Sequence, residues 1–134
     1  MSSSVDVLGT VQDGGYPQPG CQLTCCSQVI EKNRFVSCLS IVDNNAEEFW
    51  LIDITPDFRQ QIKLIQNSIN SIIPCGIFLT HAHSGHYTGL LEFGREVMDS
   101  NNIPIYVMPR MKIFLENNDP WKQLIHTGNI NLIE

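Results

Sequence analysis

The run CGIFLTHAHSGHYTGLLEF, residues 75–93, constrains this chain more than any other stretch. Its apolar part, Gly76 to Leu79, is short and bounded by Pro74 and by polar residues. That pattern predicts a strand buried on both faces. It runs directly into His81, His83 and His86, three of the chain's four histidines within six residues. A helical pattern, TGLLEFGREVMDS, begins near Thr88. Strand, histidine loop and helix in that order put the histidines beyond the carboxyl end of a strand, where layered α/β folds keep their ligand sites. On extended backbone His81 and His83 point to the same side. His86 follows within reach of the same ion or a neighbouring one. Neutral imidazole binds zinc, and catalytic zinc typically keeps three protein ligands and a water. A lone loop histidine is most often a solvated side chain or a helix cap, but three together point to metal.

The rest of the chain alternates strands with helices. SVDVLGT alternates apolar and polar residues and ends in Gly9, the pattern of a first strand. VQDGGYPQPGCQLTCC, with three Gly and two Pro, is a long loop. RFVSCLSIV and EFWLIDI are strands joined by the turn DNNAEE, an antiparallel hairpin. TPDFRQQIKLIQNSI is the clearest helix, with Thr55 as cap, Pro56 at the first position and Asp57 at the positive end of the dipole. Phe58, Ile62, Ile65 and Ile69 recur at helical spacing and should face a sheet. IPIYVM is a strand, PRMKIFLENN a helix opened by Pro109, PWKQLIHTG a helical turn or two ended by Gly128, and NINLIE a further strand. This order implies an α/β (α+β) sheet with helices on at least one face.

The 134 residues suffice for one domain with a core and not for two. With 14 acidic and 8 basic residues the net charge is -6, and no basic stripe supports nucleic-acid binding. The same balance disfavours anionic membrane surfaces. MSSSVDVLGT has neither the charged nor the apolar region of a secretory signal, and no apolar run is long enough to span a bilayer. The expectation is a cytoplasmic protein whose five cysteines are reduced thiols or metal ligands.

THAHSGH resembles the H-x-H-x-D-H signature of the metallo-β-lactamase superfamily, and HYTGL resembles the H-x-x-G-L that follows it. VLGTVQDGGYPQPGC and LIDITPDFRQQI resemble the branch of coenzyme PQQ biosynthesis protein B and its relatives. The resemblance extends over nearly the whole chain. It implies a metallo-β-lactamase-type αββα sandwich and a metal-dependent hydrolase that activates a water for a small-molecule substrate. It further implies that His81 and His83 bind a first metal and His86 a second, with the signature's aspartate falling on Gly85, which has no ligand atom. One ion is therefore favoured over two, zinc first, with iron or manganese as the other metals such ligands suit.

The ligands that relatives supply later are not evident: His126 is the only remaining histidine, and it reads as a surface or helix-end residue. Residues 1–134 are thus expected to form the N-terminal half of a domain, incomplete at the C-terminus. Such a half exposes an apolar sheet face and an unpaired edge through which copies can associate. Two further functions stay open: a non-catalytic fragment or binding module, and an iron-dependent oxidoreductase on the same scaffold. Cys21, Cys25 and Cys26 have the spacing C-x3-C-C rather than C-x2-C pairs, and the branch can carry a Cys-rich structural metal site here. Metal binding and free thiols are both open readings. Cys38 and Cys75 fall in strands and read as core. Asp53, closing FWLID, reads as a group that orients a ligand histidine through its other ring nitrogen, shared with a role at the helix entrance. Asp13, in QDGGYP, is a weaker candidate to approach the metal, since Asp-Gly is also a turn signal.

Overall fold

A computed structural model describes residues 3–28 and 34–134. Its described residues form one six-stranded sheet whose spatial order is the chain order: β1 (Ser3–Gly9), β2 (Cys38–Asp43), β3 (Glu48–Ile52), β4 (Gly76–Phe78), β5 (Ile103–Tyr106) and β6 (Ile130–Ile133). β1, β2 and β3 pair antiparallel, whereas β3 through β6 pair parallel. The hairpin predicted around DNNAEE is β2–β3, with Asp43 opposite Glu48. The parallel half needs crossovers, and α2 (Phe58–Gln66), α3 (Ser84–Tyr87) with a 3-10 helix (Thr88–Phe93), and α4 (Pro109–Asn117) with α5 (Trp121–His126) supply them. A short α1 (Thr24–Ser27) lies in the loop after β1.

Register decides which face is covered. Ser40 pairs with Leu51, Val42 with Phe49, Leu51 with Ile77, Ile77 with Ile105 and Ile103 with Ile130, so these side chains share one face. There the apolar ones join Phe58, Ile65, Leu90, Phe93, Leu115 and Leu124 in one core cluster. Each fully buried residue of this kind contributes about 1.5–3 kcal/mol. The opposite face carries Val5 and Val7, 62% and 63% exposed, and Phe78 stacked on Tyr106 with ring centroids 4.6 Å apart.

Three expectations are corrected. β4 is not buried on both faces, because Phe78 is 42% exposed on the open face. The helix after the third strand starts at Phe58 rather than at Pro56: the Thr55 hydroxyl accepts from the Asp57 N–H (3.0 Å) in a turn before it, and the Asp57 carboxylate accepts from the Val36 N–H (2.9 Å). TGLLEFGREVMDS is not an α-helix. It is 3-10 over Thr88–Phe93, because Gly89 lies so close to Ile54–Thr55 that a Cβ there would collide with the Thr55 carbonyl oxygen. Among the described residues no helix is long and apolar enough to cross a membrane.

Candidate metal centre

The site forms where the parallel strands end. β3 stops at Ile52, and Asp53 takes a left-handed conformation (φ 65°) that turns the chain toward α2. Its N–H donates to the Phe78 carbonyl (2.8 Å), locking it beside the end of β4. Its carboxylate, 7% exposed, is fully engaged. Oδ1 accepts from the Thr80 N–H (2.8 Å) and lies 2.9 Å from the Thr80 hydroxyl, which is 2.8 Å from Oδ2. Oδ2 is 2.7 Å from His86 Nδ1, and Thr80 Oγ1 is 2.8 Å from His81 Nδ1.

These contacts assign the tautomers. An ionised Asp53 is acceptor-only, so His86 donates through Nδ1–H and the Thr80 hydroxyl gives its single proton to the carboxylate. The Thr80 oxygen then accepts from His81 Nδ1–H. With Nδ1 engaged in both rings, Nε2 is the atom each offers to a metal, which is how metal-binding imidazoles are oriented; His86 Nε2 lies 3.2 Å from Asp13 Oδ1. Ligand atoms of Asp53, His81 and His86 lie within 4.8 Å of one another. The His81 ring centroid is 4.5 Å from that of His83 and 4.2 Å from that of His86. His81 and His83 are exposed, His83 at 74% of its side chain, whereas His86 is at 14%. Thr80 was not singled out from the sequence. Its signal is its position, a hydroxyl between the strand end and the first histidine.

The three histidines line a cavity of about 450 Å³ whose far wall is the loop after β1, including Gln12, Asp13, Gln18 and Ser37. That loop is pinned from below. Val11 bridges Val36, and the Val11 carbonyl accepts from both the Ser37 N–H (2.9 Å) and hydroxyl (3.0 Å). Val36 is held in turn by Asp57 and by the buried Gln61, whose Nε2 donates to the Val36 carbonyl at 2.8 Å. The Gly15 N–H closes a turn onto the Gln12 carbonyl (2.8 Å), which brings Asp13 to 3.2 Å from His86 Nε2.

The other candidates fall elsewhere. Ligand atoms of Cys21, Cys25 and Cys26 also lie within 4.8 Å of one another. A backbone hydrogen bond from Gln18, aided by Cys21, pulls the Cys26 thiol below the ordinary thiol range, while its hydrogen bond to Cys26 pushes Cys25 up. Cys38 is buried and donates to the Asp53 carbonyl (3.4 Å); burial, then the Asp53 charge, pushes it up to about 12. It stays a thiol at neutral pH and is no ligand. Cys75 is only half-buried rather than core. His126 ends α5, exposed and away from the cavity.

The chain has the fold of the metallo-β-lactamase superfamily, seen here as a single sheet with its helical layer. Within that fold it resembles the branch of coenzyme PQQ synthesis protein B: it is 31% identical over 102 residues to that protein of Klebsiella pneumoniae (strain 342), a match covering 66% of this chain and 32% of the relative. Zn(2+)-bound PqqB from Methylobacterium extorquens superposes with a TM-score of 0.74 at 22% identity, covering 98% of this chain and 46% of that one. A diphosphatase from the PhnP family gives 0.72 at 22% identity, covering 100% and 50%. Human tRNase Z, short form, gives 0.56 at 22% identity, covering 94% and 39%. The chain thus spans about a third of the curated relative and about half or less of these structures. No protein-family model matches it.

Proposed function

We propose that this chain is a metal-dependent hydrolase of the PQQ biosynthesis protein B-like type, acting on a small-molecule substrate in the cytoplasm, where five unpaired thiols are stable. One observation carries the reading: the Nδ1 atoms of His81 and His86 are tied, directly or through Thr80, to the buried Asp53, which leaves Nε2 as the atom each ring offers to a metal. This donor set fits a borderline divalent cation, zinc before iron or manganese, and one ion before two. A bound cation would lower the pKa of a water toward neutrality and polarise the bond under attack. His81, His83 and His86 hold it. Asp53 fixes ring orientation. The pinned loop after β1 walls the cavity on its far side. Names of two fold relatives, a diphosphatase and a tRNase, denote hydrolases. Cys21, Cys25 and Cys26 form a separate, structural metal site in this reading.

Titration with Co(II) tests it. Thiolate ligands give an intense charge-transfer band that nitrogen and oxygen ligands lack, so the two clusters are read separately. We expect one Co(II) per chain in a nitrogen- and oxygen-ligated site, lost in His81→Ala. A wild-type chain without that site sinks the reading.

The exposure of His81 and His83 favours a second reading, a metal-holding module without catalysis of its own. It predicts the same Co(II) site and no turnover of phosphodiester or ester probes.

A further inference from the structure

The backbone at Gly85 has no room for a side chain. Gly85 is buried at the start of α3, and a Cβ placed on it lies 2.5 Å from Asp13 Oδ1, 2.8 Å from Asp13 Cα and 2.9 Å from Asp13 Cβ. What fills the space is a carboxylate from a loop more than seventy residues earlier in the chain. The signature that THAHSGH resembles has its own carboxylate at this position. Here the carboxylate is present in space and absent from the motif.

Its oxygens face the imidazoles. Asp13 Oδ1 is 3.2 Å from His86 Nε2, and Oδ2 is 3.9 Å from His83 Nδ1. A proton on Nε2 or a metal ion between the two atoms accounts for a contact of this length, and both place Asp13 against the face that His86 turns to the cavity. Ligand atoms roughly 2.0–2.2 Å from a tetrahedral ion lie roughly 3.3–3.6 Å apart, between the two contacts seen. The turn Gln12–Gly15 and the Val11–Val36 bridge hold Asp13 in place, so the contact is built by the fold rather than by a free side chain.

We propose that Asp13 supplies the carboxylate ligand of the histidine site, and that positions 13 and 85 form an exchangeable pair in which one carries the carboxylate and the other must be small. The proposal rests on the metal reading above. It adds an anionic ligand to the three histidines, which offsets part of the charge of a divalent ion and strengthens the set for zinc, iron(II) or manganese(II).

Co(II) affinity of the nitrogen- and oxygen-ligated site, measured by chelator competition on the full chain, tests it. Asp13→Asn keeps the shape and removes the charge; we expect Co(II) binding to weaken by about tenfold or more. Gly85→Asp alone crowds Asp13 and weakens binding as well. The double variant Asp13→Gly/Gly85→Asp moves the carboxylate to the motif and should return to within about threefold of wild type, a coupling neither single change predicts. An Asp13→Asn chain that binds Co(II) as tightly as wild type overturns the proposal. So does a double variant no tighter than Asp13→Gly. Both outcomes leave the wild-type Co(II) spectrum intact. A wild type with no such spectrum defeats the metal reading itself and this proposal with it.

Discussion

Among the described residues, two clusters bring metal-binding atoms within 4.8 Å of one another, and they are built in different ways. The histidine cluster stands on a buried carboxylate with four short contacts, to Thr80 N, Thr80 Oγ1, Thr80 Oγ1 again through its second oxygen, and His86 Nδ1. Two members of the cysteine cluster, Cys25 and Cys26, sit on a four-residue helix with no buried residue and no side-chain cap, and Cys21 lies in the loop before it. Cys25 Sγ lies 3.8 Å from Cys26 Sγ, and the Gln18 backbone also contacts the Cys26 thiol. The first has its ligand rings fixed by a buried group behind them; the second has no buried group of that kind. Preorganisation of that kind comes from the groups behind the ligands, so removing those groups is the way to break the contrast.

The largest effect should come from Asp53→Ala. It leaves Thr80 N–H and the His86 ring without their partner, and we expect a loss on the order of 3 kcal/mol in denaturant unfolding, together with the Co(II) site. A variant as stable as wild type that still binds Co(II) would show that Asp53 supports nothing. Next comes Gly89→Ala, which forces the 3-10 helix off the Ile54–Thr55 backbone. A loss of about 2 kcal/mol is expected, read from the same melts. Smallest is the joint change Cys21→Ser, Cys25→Ser and Cys26→Ser. Metal-free stability should move by no more than about 0.5 kcal/mol, as for surface positions, with Co(II) affinity of the histidine site unchanged. A drop in that affinity would mean the clusters are coupled. Alkylation at neutral pH sharpens the contrast among thiols: Cys26, with its lowered pKa, should react before Cys25, and Cys38, pushed up to about 12 by burial, last. Cys38 reacting with the first group would contradict its burial.

Strand existence and order were legible because each element carries a local signature: alternation in SVDVLGT, turn residues in DNNAEE, Pro109 and Gly128 at helix ends. The histidines were legible because three together are rare. What escaped depends on tertiary contact. Asp57 looks like a helix-start residue but spends its carboxylate on Val36. Gln61 shows only an amphipathic helix position and turns out to be buried, 1% exposed, as a clamp on the loop. The pairing of Asp13 with Gly85 leaves no mark in either stretch alone, since a glycine reports what is near it only once the neighbour is known. The 3-10 segment was misread because its apolar spacing is helical, while the close approach of Gly89 that tightens it is not local.

The agreement of strand order with chain order bears on how the protein is made. Each strand leaving the ribosome adds to an edge that already exists, and none must wait for a later segment to fill a gap beside it. Each described strand after the first therefore pairs with the strand that precedes it in the chain, and Asp13, Asp53, Thr80 and the three histidines all lie before β5.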